Sequence, residues 1–219
     1  MIIDTIPIFV ISLDRSKDRR EYITKHLKDL DIDHKLFSAF DGNQLGIATK
    51  NPYLNDHSDW APPYGNGDRP AFFVGGGINS LALSYFALAK MALALDYPEI
   101  LIVEDDLEIL PDFKNRFEEL YRGLPKDYST CHLEWCCVDP YRIQQITPVL
   151  AKGYPLCTAA VLYSKKGLKQ INDNSILWSP YDIFLYHKLF NQNGGGYLAY
   201  PQKLCSQLSA QGKIPTTLT

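Results

Sequence analysis

Apolar positions come in two rhythms along this chain, and their alternation predicts an α/β fold. Residues 7–13 (Pro-Ile-Phe-Val-Ile-Ser-Leu) and 100–103 (Ile-Leu-Ile-Val) are continuous apolar runs, too short for helices and rich in β-branched side chains. Such runs are expected of strands covered on both faces. Elsewhere the period lengthens. Tyr22, Ile23, Leu27 and Leu30 form one stripe over 17–30, and residues 81–95 make a strongly apolar helix. Phe113, Phe117, Leu120 and Tyr121 mark another helix, which Gly123 and Pro125 stop. Further strands are expected at 34–40, 130–138, 156–163 and 197–200, and short helices at 165–172 and 180–189. Residues 142–150 read as irregular or weakly extended. Periodicity fades over 43–77, whose Asn, Asp, Pro and Gly predict a long lid or acceptor loop. Its aromatics Tyr53, Trp60 and Tyr64 suit either the face of a sugar ring or the anchoring of the loop to the core. No internal repeat or linker interrupts the pattern, so one domain is expected over residues 1–219.

The run at 100–103 ends abruptly in Glu104-Asp105-Asp106. In open α/β sheets the ligand crevice lies outside the carboxyl ends of the strands, so these acids stand where chemistry is usually done. Adjacent carboxylates repel one another, and a divalent cation offsets that repulsion. The cluster therefore reads either as a metal site for a phosphorylated substrate or as a solvated acidic turn. Arg15, Lys17, Arg19 and Arg20 open the helix over 17–30 against its dipole. They either seat an anion at the helix start or pair with Asp14, Asp18 and Glu21. Asp182 begins a short helix, where an acid suits the dipole as well as it suits proton transfer.

Composition narrows the partners. The 219 residues are 46% hydrophobic, and 22 basic against 25 acidic residues leave a net charge of −3. That balance predicts a globular protein without a nucleic-acid or polybasic membrane surface. The five cysteines (Cys131, Cys136, Cys137, Cys157, Cys205) are odd in number and contain no Cys-x-x-Cys pair. They predict neither a disulfide framework nor a zinc knuckle, and a reducing compartment. The amino terminus lacks the basic region of a signal peptide, and residues 81–95 are too few to span a bilayer. A cytoplasmic protein is expected.

Several separated segments together resemble glycosyltransferase family 25, which includes lipooligosaccharide and procollagen galactosyltransferases. Residues 10–19 (Val-Ile-Ser-Leu-Asp-Arg-Ser-Lys-Asp-Arg) are similar to the family's opening Val-Ile-Asn-Leu-Asp-Arg, and Ala39-Phe40-Asp41-Gly42 to its Ala-x-Asp-Gly. Residues 77–85 fall where the family tends to have Gly-Glu-x-Gly-Cys-x-x-Ser-His, and residues 102–107 look like its Leu-Glu-Asp-Asp metal motif. Residues 160–168 and Pro180-Tyr181-Asp182 resemble its later motifs, in the same order. Four positions depart from the pattern: Ser12 stands for Asn, Ile78 for Glu, Ser80 for Gly and Tyr85 for His.

The resemblance implies a single-domain glycosyltransferase A-type fold, a Rossmann-like mixed sheet flanked by helices. It implies a UDP-sugar donor (galactose most often), Mn2+ or Mg2+, and inversion at the anomeric carbon. Ser12, Asp14, Arg15, Arg19, Asp41, Ser84, Glu104 and Asp105 would then face the nucleotide sugar, and Glu104 and Asp106 would hold the metal. Asp182 is the first candidate for the general base, with Asp139 and Glu134 next. The acceptor would be a glycan, a lipid-linked saccharide or a protein hydroxyl. Two other classes stay in view: an inactive homologue that only binds a sugar nucleotide, glycan or protein, favoured by Ile78 and Tyr85, and a two-carboxylate hydrolase.

Overall fold

The computed structural model describes residues 1–45, 76–136, 138–175, 180–209 and 211–214. In chain order these form β1 (Ile8–Ser12), α1 (Lys17–Asp29), β2 (Lys35–Ser38), the short turn α2 (Gly42–Leu45), α3 (Gly76–Ala94), β3 (Glu99–Glu104), β4 (Leu107–Ile109) and α4 (Phe113–Gly123). Then follow β5 (Thr130–His132), β6 (Gln144–Thr147), β7 (Leu150–Gly153), β8 (Ala160–Ser164), α5 (Lys165–Asp173), α6 (Tyr181–Leu185), β9 (Gly196–Ala199) and β10 (Cys205–Gln207). Eight strands make one mixed sheet in the order β2-β1-β3-β8-β5-β9-β7-β6, while β10 and β4 pair separately. β1 lies parallel to β2 and β3, and β3 is antiparallel to β8.

The two apolar runs are continuous because both sheet faces are covered. Ile8 and Val10 of β1, with Leu101 and Val103 of β3, join Ile23, Leu27, Phe117 and Leu120 in one core. Phe9 and Ile11, with Ile100 and Ile102, join Tyr85, Leu88, Leu168 and Phe184 in the other. Alternate residues thus serve opposite layers, and every β1 side chain is buried. Gly167 lets α5 sit close to the sheet, since a Cβ there would lie 2.1 Å from the carbonyl oxygen of Ser129. Ser164 caps that helix by accepting the Gly167 N–H at 3.3 Å.

Several expectations are corrected. The strand over 130–138 stops at His132, and the one over 156–163 starts only at Ala160, because Cys157 has a left-handed φ of +70° that no strand accommodates. Between those points Cys136 and Cys157 form a disulfide, against the expectation that the cysteines stay unpaired. Spatial neighbours made that pair, not sequence spacing. Cys131 and Cys205 are buried free thiols, and Cys137 lies outside the described residues. Residues 142–150 contain β6 and the start of β7, an antiparallel hairpin with a register shift between Gln145 and Thr147. The helix over 180–189 continues from α6 into a π-turn, Tyr186–Phe190. Most of the proposed lid or acceptor loop at 43–77, including Tyr53, Trp60 and Tyr64, lies outside the described residues, as does the side chain of Ile78.

Candidate donor site

Parallel pairing sets the site. Ile11 of β1 stands opposite Glu104 of β3, so both strands end side by side and Ser12 meets the acids that follow. The Ser12 hydroxyl donates to Asp105 Oδ2 at 2.6 Å. Arg19, in the first turn of α1, reaches across to Asp105 Oδ1 (3.2 Å) and Asp106 Oδ2 (2.7 Å). From the far side β10 brings Gln207, whose amide lies 3.3 Å from Asp106 Oδ2 and 3.4 Å from Glu104 Oε2, and Ser209 also donates to Asp106. Glu104 takes its remaining contacts from the phenol of Tyr85 (3.2 Å) and the hydroxyl of Thr158 (3.3 Å).

Charge in this corner is unevenly met. Burial raises the Glu104 carboxyl to about 8, and repulsion from Asp106 adds to the shift. Burial also raises Asp105, while the Ser12 hydroxyl and Arg19 hold it back. Tyr85 has one proton, and the Thr158 carbonyl at 2.7 Å is its better acceptor. The same hydroxyl also reaches Glu104 Oε1, at the longer distance of 3.2 Å.

Ser12, Arg15, Arg19, Phe40, Asp41, Asn43, Ser80, Glu104, Asp105, Asp106, Gln207 and Ser209 line a cleft open to solvent. Arg15 is held over the cleft by Asp41 at 2.8 Å, and Arg15 keeps the Asp41 carboxyl below its ordinary value. The basic start of α1 is thus satisfied from within: Arg20 pairs with Asp14 at 2.6 Å and also touches Ser38. Asp14 accepts from Ser38 too, at 2.7 Å, and serves as a tether between α1 and β2 outside the cleft lining. Ser84 sits one layer behind, donating to the Ser80 carbonyl (2.8 Å) and accepting the Phe40 N–H (3.0 Å).

The three candidate bases separate. Asp182 accepts the Cys157 N–H at 3.4 Å, so Glu104 and Asp182 bracket the adjacent residues Cys157 and Thr158, and burial raises its carboxyl. Tyr181 beside it stacks on Tyr85 with ring centres 4.1 Å apart. Glu134 is 3% exposed, paired with Lys203 at 3.2 Å, and raised by burial. Asp139 is a local cap whose side chain accepts the Tyr141 N–H at 3.0 Å, and none of the three acids lines the cleft. Asx capping explains that acid without catalysis.

Asp105 and Asp106 themselves offer carboxylate oxygens, which hard divalent cations prefer. Magnesium is commonly held by one or two carboxylates, with water and substrate phosphates completing its shell. Among the described residues no three His, Cys, Asp or Glu side chains converge on one point. The residues fit an ion shared with a substrate, not one caged by protein. Gln207, Ser209 and Thr158 escape a reading of the sequence; the alternation of polar residues at 207 and 209 is a signal in the tail that marks a face.

A sequence profile described as glycosyltransferase family 25 (LPS biosynthesis protein) matches residues 5–151. The chain is 24% identical over 186 residues to a probable inactive glycosyltransferase 25 family member 3 of Bos taurus, covering 81% of this chain and 31% of that protein. It is 28% identical over 129 residues to procollagen galactosyltransferase 2 of Mus musculus, covering 58% of this chain and 19% of that protein. It therefore spans a third or less of the length of these relatives. A solved glycosyltransferase involved in the glycosylation of the major capsid of PBCV-1 superposes with a TM-score of 0.50 at 13% identity, over 97% of this chain and 94% of that one. The mixed sheet flanked by helices is the glycosyltransferase A-type fold, and with the profile match over more than half its residues the chain belongs to glycosyltransferase family 25.

Proposed function

We propose that this chain transfers a hexose, galactose first among them, from a UDP-sugar to an acceptor hydroxyl with inversion. One observation carries the reading: the carboxyl ends of β1 and β3 bring Arg15, Arg19, Asp41 and the acids 104–106 into a single cleft. Asp41 and Phe40 stand at its rim and offer the nucleoside a hydrogen-bond acceptor and an apolar surface. Asp105 and Asp106 would hold Mn2+ or Mg2+, which when bound supplies Lewis-acid neutralisation of the leaving diphosphate. The acceptor oxygen bonds to the anomeric carbon as the bond from that carbon to phosphate oxygen breaks. UDP leaves with the electron pair, and Asp182 takes the acceptor's proton. Burial suits Asp182 to that role, since a base nearer neutrality holds a proton more firmly.

A second reading, binding without transfer, is favoured by Tyr85. It stands where the family tends to have His, and its phenol occupies Glu104. Relatives described as inactive belong to the same family. The expected cytoplasmic location meets a counter-argument in the bond between Cys136 and Cys157, because disulfides persist in oxidising compartments. Among the described residues no helix is long and apolar enough to cross a membrane.

Calorimetry with UDP-galactose and UDP-glucose, with manganese and with chelator, tests the donor reading on wild type and Asp106→Asn. Metal-dependent binding that weakens by about 100-fold or more in the variant is expected, on the scale of losing a buried charge that orders a site. Binding of neither donor under any condition contradicts it. Release of UDP with an added glycan or protein hydroxyl acceptor then separates transfer from binding alone.

A further inference from the structure

Arg19 spans the two acids that would hold a metal. Its Nη1 lies 3.2 Å from Asp105 Oδ1 and its Nη2 lies 2.7 Å from Asp106 Oδ2, so one guanidinium bridges both acids. The bridge is nearly dry, with side-chain exposures of 14% for Arg19, 9% for Asp105 and 3% for Asp106. Arg15 and Arg20 are committed elsewhere, to Asp41 and Asp14. Ser12, Gln207 and Ser209 supply the other contacts of the pair, and all three are uncharged.

Removing two carboxylates from water is costly unless a cation stays with them. Arg19 fills that need in the chain's own sequence. A divalent ion wants the same oxygens, and two cations within a few ångströms in a partly dry site repel each other strongly. We propose that Arg19 and a divalent cation are mutually exclusive occupants of the Asp105 and Asp106 pair. Arg19 is then a resident counter-ion that sets the metal threshold of the site. With a divalent ion on the two acids, the Arg19 guanidinium would be displaced, and its planar fork would match a diphosphate. This deepens the donor-site reading of these acids and rests on it for the identity of the diphosphate.

The test is manganese alone, titrated by calorimetry and by the loss of its free-ion paramagnetic resonance signal, into wild type, Arg19→Met and Arg19→Lys. Arg19→Met is expected to bind manganese about tenfold tighter or more, as expected when one neighbouring positive charge leaves a carboxylate pair. Its melting temperature should be lower than wild type in chelator and recover with manganese. Should Arg19→Met fail to fold without metal, Arg19→Lys carries the test, with a smaller gain in affinity because an ammonium cannot bridge both acids. Equal or weaker manganese binding in the variants overturns the proposal, as does no binding in any of the three proteins. Manganese binding is read without donor, so failure of UDP-galactose to bind leaves this result standing, and an unchanged manganese affinity leaves the donor result standing.

Discussion

The central strand carries a glutamate at each end, and the two are held very differently. Glu99 accepts hydrogen bonds from the phenols of Tyr121 and Tyr128, both at 2.6 Å, one to each carboxylate oxygen. Glu104 has contacts with Tyr85, Thr158 and Gln207, but at 3.2, 3.3 and 3.4 Å, and it shares its corner with Asp105 and Asp106. Short charge-assisted bonds are the strong ones. The amino-terminal end of β3 is therefore a finished joint between the sheet and α4. Its carboxyl-terminal end is left incomplete, with carboxyls raised by burial and a cleft beside them. A ligand can improve the second end and has nothing to offer the first.

The contrast breaks most sharply in tyrosine variants. Tyr128→Phe removes a short bond to a carboxylate, and thermal and urea unfolding should show a loss of about 1.5–3 kcal/mol, the range for hydrogen bonds to charged groups. Its donor affinity should equal that of wild type. Tyr85→Phe removes a neutral bond to the Thr158 carbonyl at 2.7 Å and the 3.2 Å contact to Glu104, and should cost less stability, about 1 kcal/mol, while altering donor or manganese affinity. Reversal of that order would mean that the two ends are not specialised.

The same contrast can be sharpened through pH. Glu104 is raised from 4.5 to about 8 in the folded chain. Between those values the folded state keeps a proton that the unfolded state has lost, so this group makes stability fall as pH rises from 4.5 to 8 and adds no slope outside that window. In chelator, wild type should lose stability against Glu104→Gln with a slope approaching about 1.4 kcal/mol per pH unit. Parallel curves for the two proteins would show that Glu104 is not held protonated.

What was legible in the sequence follows from what each region buries. β1, α1, β3 and α4 could be read because both faces of the strands and one face of each helix are covered. The acids 104–106 could be placed because they end a buried strand. The hairpin of β6 and β7 could not, since β6 is almost wholly exposed and carries no alternation. Asp139 could not be told from a catalytic acid, because a cap and a base call for the same side chain. Arg19 was expected near a phosphate, and only the crossing of α1 over the end of β3 shows that its partners are carboxylates. The pairing of Cys136 with Cys157 depends on two chain segments that flank β5 and β8 meeting in space, 21 residues apart in sequence. Tyr85 looked like a defect of the family pattern; the structure gives it a place between Glu104 and Thr158.

Hydrogen–deuterium exchange with and without UDP-galactose and manganese compares the two ends of β3 in one experiment. The account predicts slower exchange at 11–19, 39–43, 104–107 and 205–209, and no change at 97–100 or 121–129. Protection around Glu99 and Tyr128 instead, or none at 104–107 under saturating donor, would contradict the assignment of the donor site to the acid cluster.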